Sequence, residues 1–441
     1  MMRSLLIAIL FSLISEYNES IMTKKTRTIL FLVFLFIFLS AAPAVVLYSQ
    51  GYRIDFDNKK ISRTGGLFLK IEPKQVEIYL DGKLTEKTDF FFGSVLIENL
   101  LPKKYEIEIK KPEFATWEKT LEIREKEVTE VKNIVLFPEK PDFSILAEEI
   151  KQFWTSPDQS KIILKEENKL THNWALKLYD LNKNVKSQLI NEEDASPKGA
   201  DLLNLSFSED SKEALLETGI GEKIKYFTLN LNKLPPALVE EEPPATTTED
   251  VIASRKINND VYYLDKSGYL FKNAEKLNDT PFPVEQETEY ALEIFQNFIF
   301  LREDKILYQF SSDLKSFEKF FDGVSILENS PDLKKLVYAS DYEIWVLFLK
   351  DTLEQPQRKA GEKLFIARLS EKIGNCYWLN NNYLVFNNGN KIKISETDDR
   401  NKTNVADIAE LKNPEIFWNK IEKRLYVLSE GNLFRSEGLL P

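Results

Sequence analysis

Two hydrophobic patterns divide the chain. The first is a run without a charge that begins at Ile29 and ends at Ser49, reading I-L-F-L-V-F-L-F-I-F-L-S-A-A-P-A-V-V-L-Y-S. Coiled as a helix it rises roughly 32 Å at about 1.5 Å per residue, which matches the hydrocarbon core of a bilayer. Lys24, Lys25 and Arg27 stand just ahead of it. The positive-inside bias therefore predicts residues 1–28 as a cytoplasmic tail, 29–49 as a transmembrane helix and the rest as an extracytoplasmic bulk. The second pattern is period-two alternation, which starts near Gly65 and recurs to the C-terminus. It predicts an all-β exterior.

In residues 64–138 the alternation comes in short pieces. Leu67, Leu69 and Ile71 share one face, as do Val76, Ile78 and Leu80. Asp81-Gly82 signals a hairpin, because that turn needs positive φ. Further strands are expected at 94–97, 105–110, 117–123 and 128–136. Five or six short strands with no helical period predict a small β-sandwich-like module. The order of Gly66, Pro73, Tyr79-Leu80-Asp81-Gly82, Leu101-Pro102, Tyr105 and Phe114-Ala115-Thr116-Trp117 resembles that of a PEGA domain. Pro73-Lys74-Gln75-Val76 replaces the naming tetrapeptide, and Lys104 stands where a turn Gly is usual. The resemblance implies a bacterial cell-surface module acting as a spacer or envelope-binding element, of a family without an agreed catalytic role.

From residue 143 an apolar strand, a polar turn and a second apolar strand repeat. The seven copies include Phe153, Leu205, Ile252, Leu292, Ile326, Cys376 and Ile416 near their starts. Units of roughly 40 residues suggest the blades of a β-propeller, which stack because one blade cannot bury both faces. Six or eight blades remain open beside seven. The Ser156-Pro157-Asp158 and Ser330-Pro331-Asp332 turns resemble the Ser-Pro-Asp-Gly signature of Tol-type and WD-repeat-like propellers, with Gln159 and Leu333 in place of Gly. Residues 234–250, rich in Pro, Glu and Thr, predict a disordered loop inside the propeller; a boundary between two smaller β domains is the alternative.

Composition narrows the chemistry. Net charge is −11 over 441 residues, and residues 1–50 hold four basic and two acidic side chains, so the remainder carries −13. An acidic exterior argues against nucleic acid. The single cysteine, Cys376, excludes an intrachain disulfide and sits in an apolar C-Y-W-L context expected to be buried. The single histidine, His172, rules out a multi-histidine zinc site. No phosphate-binding loop is visible, and no cofactor is implied. One metal candidate exists: Asp399, Asn401, Thr403, Asp407 and Glu410 fall at positions 1, 3, 5, 9 and 12 of a calcium-loop template. Asn404 replaces its turn Gly, and the flanks read as strand, so the match is weak and a solvated inter-blade loop is the favoured account. Trp154, Trp378 and Trp418 hold equivalent places in their repeats, which points to core packing.

These features predict a membrane-anchored, non-enzymatic protein. Its propeller would present a binding surface to a protein or an envelope glycan. The alternative is an extracytoplasmic hydrolase with a carboxylate pair in the propeller mouth. The apolar run could also be a cleaved signal peptide, given Ser40-Ala41-Ala42. Pro43 just after the cut and the apolar continuation to Tyr48 disfavour this. Leu5 to Ile14 is too short to span and is followed by Glu16 and Glu19, whereas Met22 opens a basic M-T-K-K-T-R-T. Residues 1–21 therefore read as a mis-called extension. N-terminal sequencing of the native protein should begin at Met22 or Thr23; a start at Met1 or Met2 would refute this.

Overall fold

The computed structural model describes residues 24–56, 59–168, 173–194, 200–221, 223–233, 236, 238–242 and 250–440. The chain divides into two compact units. One comprises residues 1–69, 96–105 and 122–130, and the other residues 70–95, 106–121 and 131–441.

In the first unit a helix runs Lys24–Ser49 with no buried side chain. By length and composition it suffices to cross a membrane. It starts before the apolar run, so residues 24–28 of the expected tail are helical, as Lys and Arg are good helix formers. Arg53 closes its C-terminal end. The guanidinium lies 3.5 Å from the Tyr48 ring centroid and donates to the Tyr48 carbonyl at 2.7 Å, satisfying one of the terminal carbonyls. Two strands follow, β1 (Tyr52–Asp55) and β2 (Lys60–Arg63), paired as a hairpin.

The small β module contains β3 (Gly65–Glu72), β4 (Glu77–Leu80), β5 (Lys83–Lys87), β6 (Ser94–Leu100), β7 (Lys104–Lys110), β8 (Trp117–Glu122) and β9 (Val128–Val135). They form two sheets, ordered β6-β3-β9 and β5-β4-β7-β8. The alternation predicted most of this. Leu67, Leu69, Ile71, Ile78, Ile107 and Ile109 are fully buried, while their neighbours face out. At the β4–β5 turn Asp81 and Gly82 have φ of 49° and 74°, as the Asp-Gly signal requires. Strand β5, K-L-T-E-K, is exposed throughout. It carries no apolar alternation, and only its ladder with β4 makes it a strand.

Among the described residues, seven four-stranded antiparallel sheets follow in the second unit, in the succession of a β-propeller. Sheets 1 to 6 cover residues 150–191, 201–241, 251–276, 290–322, 326–368 and 373–410 in simple sequence order. Sheet 7 joins three C-terminal strands to β10 (Phe143–Ala147), which pairs with Asn432–Gly438. The first strand thus completes the last sheet and closes the ring. Core clusters lie between consecutive sheets: Leu176 and Leu216 between sheets 1 and 2, Val346 and Trp378 between 5 and 6, Ile394 and Trp418 between 6 and 7, and Phe153 and Tyr426 between 1 and 7.

One expectation needs correction. Within residues 234–250, read as a disordered loop, Leu238–Glu241 forms the fourth strand of sheet 2. It pairs with Lys223–Asn230, with Leu238 opposite Leu229. The ladder orders it despite its acidic composition. Residues 234, 235, 237 and 243–249 lie outside the described residues.

The turns between first and second strands carry the Ser-x-Asp motif. Ser156 Oγ donates to Asp158 at 2.6 Å and accepts the Lys161 amide at 2.9 Å. Ser330 repeats this with Asp332 at 2.7 Å and the Lys335 amide at 2.9 Å, and Ser208 does so with Asp210 at 2.8 Å and the Glu213 amide at 3.0 Å. Two of the three turns also reach the next sheet. The Asp158 amide donates to Ser211 Oγ at 3.1 Å, and the Asp332 amide to Asn381 Oδ1 at 3.1 Å. The fourth turn positions, Gln159, Ser211 and Leu333, have φ of 56°, 58° and 56°. Left-handed backbone costs a β-carbon residue roughly 1–2 kcal/mol, and Gly recovers most of that at the expense of unfolded-chain entropy. Leu333 has a half-exposed side chain. Leu333→Gly is therefore expected to stabilise the protein by about 0.5–1 kcal/mol in urea unfolding; destabilisation would contradict the turn assignment.

Candidate functional site

Within the second unit a polar cleft of about 530 Å³ opens on the propeller face that carries the Ser-x-Asp turns. Its floor comes from sheets 5 and 6, through Asp332, Lys335, Asn381, Asn382 and Asp398. A loop at residues 351–356 and part of β9 make its walls. Positive and negative groups alternate around it: Lys334, Arg400 and Lys132 against Asp351, Glu354 and Asp398. Leu353, 85% exposed, is an apolar tip on the loop.

Lys335 is the buried cation of this floor. Its Nζ donates to the Asn381 carbonyl at 2.8 Å and to Asn382 Oδ1 at 3.0 Å. The Phe348 and Trp378 rings lie 5.8 and 5.9 Å away. Burial lowers its pKa to about 8 against the opposing pull of Asp332. In sheet 1 the equivalent Lys161 likewise reaches the next sheet, donating to the Ser211 carbonyl at 3.1 Å. The lysine after the turn thus latches neighbouring sheets, and in sheet 5 it also meets the cleft.

Behind the cleft, β8 is locked to sheet 6 by a buried charge network. Lys119 Nζ sits 2.6 Å from Glu396 Oε1 and donates to the Asp398 carbonyl at 2.6 Å. Trp117 Nε1 donates to Glu396 Oε2 at 2.9 Å, and the Asn404 amide donates to Oε1 at 2.8 Å. Burial pushes the Asp398 carboxyl up. Arg400, which binds it through Nε and Nη2, and Lys119 outweigh this and hold it below its ordinary value. Buried charges persist only when paired and hydrogen-bonded in this way. The network positions β8, and its Asp398 and Arg400 also border the cleft.

The calcium-template residues are placed apart in role. Asp399 pairs with Arg358, and Asn401 Oδ1 accepts the Thr120 amide at 3.4 Å. Asp407 lies in the fourth strand of sheet 6 beside Lys391 and Lys393, and Glu410 ends that strand. Among the described residues no group of three or more His, Cys, Asp or Glu is placed to hold a metal. The template fails because Asp399 and Asp407 are each paired with basic side chains, and Asp407 and Glu410 lie in a strand rather than in a metal-wrapping loop. His172 lies outside the described residues. Cys376 is buried and free, and burial pushes its thiol well up. Trp378 and Trp418 are buried core residues, as their equivalence suggested, but Trp154 is only half-buried.

Sequence reasoning missed the cleft, because Lys335, Asn381 and Asp398 come from three separate segments of the chain. The one legible hint was the Lys that follows the Ser-Pro-Asp turn.

No protein-family model matches the chain, and no curated protein matches it. Among solved structures it is similar to the β-propeller domain of Cps50 (Swd1) from Myceliophteria thermophila, at 12% identity and a TM-score of 0.39, covering 67% of this chain and 99% of that one. YCF48 from Cyanidioschyzon merolae gives 10% and 0.38, covering 67% and 98%. The extracellular domain of the putative hybrid two-component system BT4673 from B. thetaiotaomicron gives 11% and 0.40, covering 67% and 40%. Likeness at this level says nothing of ligand or partner. The propeller stands on the chain's own sheets and their closure.

The Lys335 environment makes a signed prediction. Unfolded, Lys335 holds its proton up to about 10.5; folded, only to about 8. Its burial penalty is full below pH 8 and disappears as pH rises toward 10.5, so native stability gains across that window. Relative to Lys335→Met, the native protein should gain on the order of 2–3 kcal/mol between pH 8 and 10.5 in urea melts. Parallel curves would refute it.

Proposed function

We propose that the chain is a single-pass, membrane-tethered binding protein. Its N-terminus is cytoplasmic, its PEGA-like module acts as a spacer, and a seven-bladed propeller presents a ligand surface outside the membrane. The ligand is a polar segment of a protein or an envelope glycan, and the protein acts without catalysing a reaction.

The observation that carries this reading is the cleft. Its walls mix both charges around an apolar tip, Leu353, on the turn face of a closed ring. Interspersed charge of this kind confers partner specificity and register. The exposed 26-residue helix supports the tether. The seven sheets, the first strand completing the last, support seven blades.

Two measurements test it. Protease shaving of intact cells should remove the chain after Gln50; full protection would defeat the topology. Full-length protein carrying the paired reversals Lys334→Glu and Asp351→Lys, both at exposed cleft positions, should lose a cross-linked envelope partner that the native protein retains. Equal capture by both would remove the cleft from the binding surface.

A further inference from the structure

A second hollow lies where the first strands of sheets 1, 2, 6 and 7 meet. It has a volume of about 280 Å³ and is lined by Trp154, Phe207, Tyr377 and Phe417 with Glu415, Thr155 and Ser206. We propose that this axial pocket binds an organic cation, an alkylammonium group or a lysine-type side chain, with the four rings as its walls and the Glu415 carboxylate as its counter-charge.

The rings come from four different strands, so the propeller closure alone assembles them. Tyr377 and Phe417 stand at 81° with centroids 6.1 Å apart. This is an edge-to-face pair, which fixes the two rings against each other, and a cation within about 6 Å of a free ring face is attracted by the ring quadrupole. Trp154 departs from its equivalents: Trp378 and Trp418 are fully buried, whereas Trp154 packs against the core between sheets 1 and 2 but stays partly open to the pocket. The charge is uneven too. Nearby Glu328 is answered by Lys420 at 3.0 Å. Among the described residues no Lys or Arg pairs with Glu415, and partial burial pushes its carboxyl above the ordinary value. An incoming ammonium would supply the missing partner, and a net charge of −11 draws cations toward the protein. This pocket shares no residue with the cleft.

The test is calorimetric titration of the full chain in lipid nanodiscs. The probes are tetramethylammonium, N-acetyl-lysine amide and 3,3-dimethylbutanol, an uncharged alcohol whose tert-butyl group has the shape of a trimethylammonium head. At least one of the two cations should bind saturably, and the alcohol at least about tenfold more weakly. Tighter binding of the lysine amide points to a peptide source, and tighter tetramethylammonium to a free quaternary amine; both support the site. Glu415→Gln should lower affinity about tenfold or more. Trp154→Leu should do the same if its melting temperature is unchanged. If Trp154→Leu fails to fold, Glu415→Gln, at an exposed position, decides. Saturable binding of neither cation, equal binding of the alcohol, or unchanged affinity in Glu415→Gln would overturn the proposal.

Discussion

A four-stranded antiparallel sheet has two faces, and none of the seven sheets here can cover both by itself. Apolar clusters fill the spaces between sheets 1 and 2, 3 and 4, 4 and 5, 5 and 6, 6 and 7, and 7 and 1. The arrangement therefore holds only if the series closes. It does so because β10, at the start of the propeller, supplies the missing strand of the last sheet, and because Phe153 and Ile162 of sheet 1 share a core with Phe417 and Tyr426 of sheet 7. The aromatic hollow, lined from sheets 1, 2, 6 and 7, depends on that closure.

Polar contacts set the register of the stack. Ser156, Ser208 and Ser330 each satisfy an aspartate and a following backbone amide, and two of these turns then bond to the next sheet. Sheet 7 reaches sheet 1 through Asn419 Nδ2 and the Gln159 carbonyl at 2.9 Å. Apolar packing alone is tolerant of sliding; hydrogen bonds with fixed donors and acceptors are not. The three left-handed turn residues show the backbone geometry that the usual Gly serves, retained here by side-chain-bearing residues.

The same division of labour recurs at the buried charges. Lys119 with Glu396, and Asp398 with Arg400, fix β8 against sheet 6 at a desolvation cost that their many hydrogen bonds offset. Lys335 is different. It is buried beside neutral acceptors at an open cleft, so its ammonium is less fully compensated. The structural and the ligand-facing roles of polar residues are thus separated by what surrounds them rather than by residue type.

The sequence by itself determined the features written in local pattern. These were the apolar helix, the alternating strands of the small module, the Asp81-Gly82 turn, the repeat that became seven sheets, and the burial of Cys376, Trp378 and Trp418. Each follows from periodicity or turn chemistry within a dozen residues. Strand β5 and Leu238–Glu241 were not legible, because their apolar alternation is weak or absent and a neighbouring ladder alone orders them. Only the tertiary structure decided which polar residues meet. Asp399, Asn401, Asp407 and Glu410 look like a set along the chain and scatter in space. Lys335, Asn381 and Asp398, or Trp154, Tyr377 and Glu415, look unrelated along the chain and share a hollow. The reason is physical: a propeller gathers equivalent positions from units far apart in sequence, and no local signal records which of those positions will face the same space.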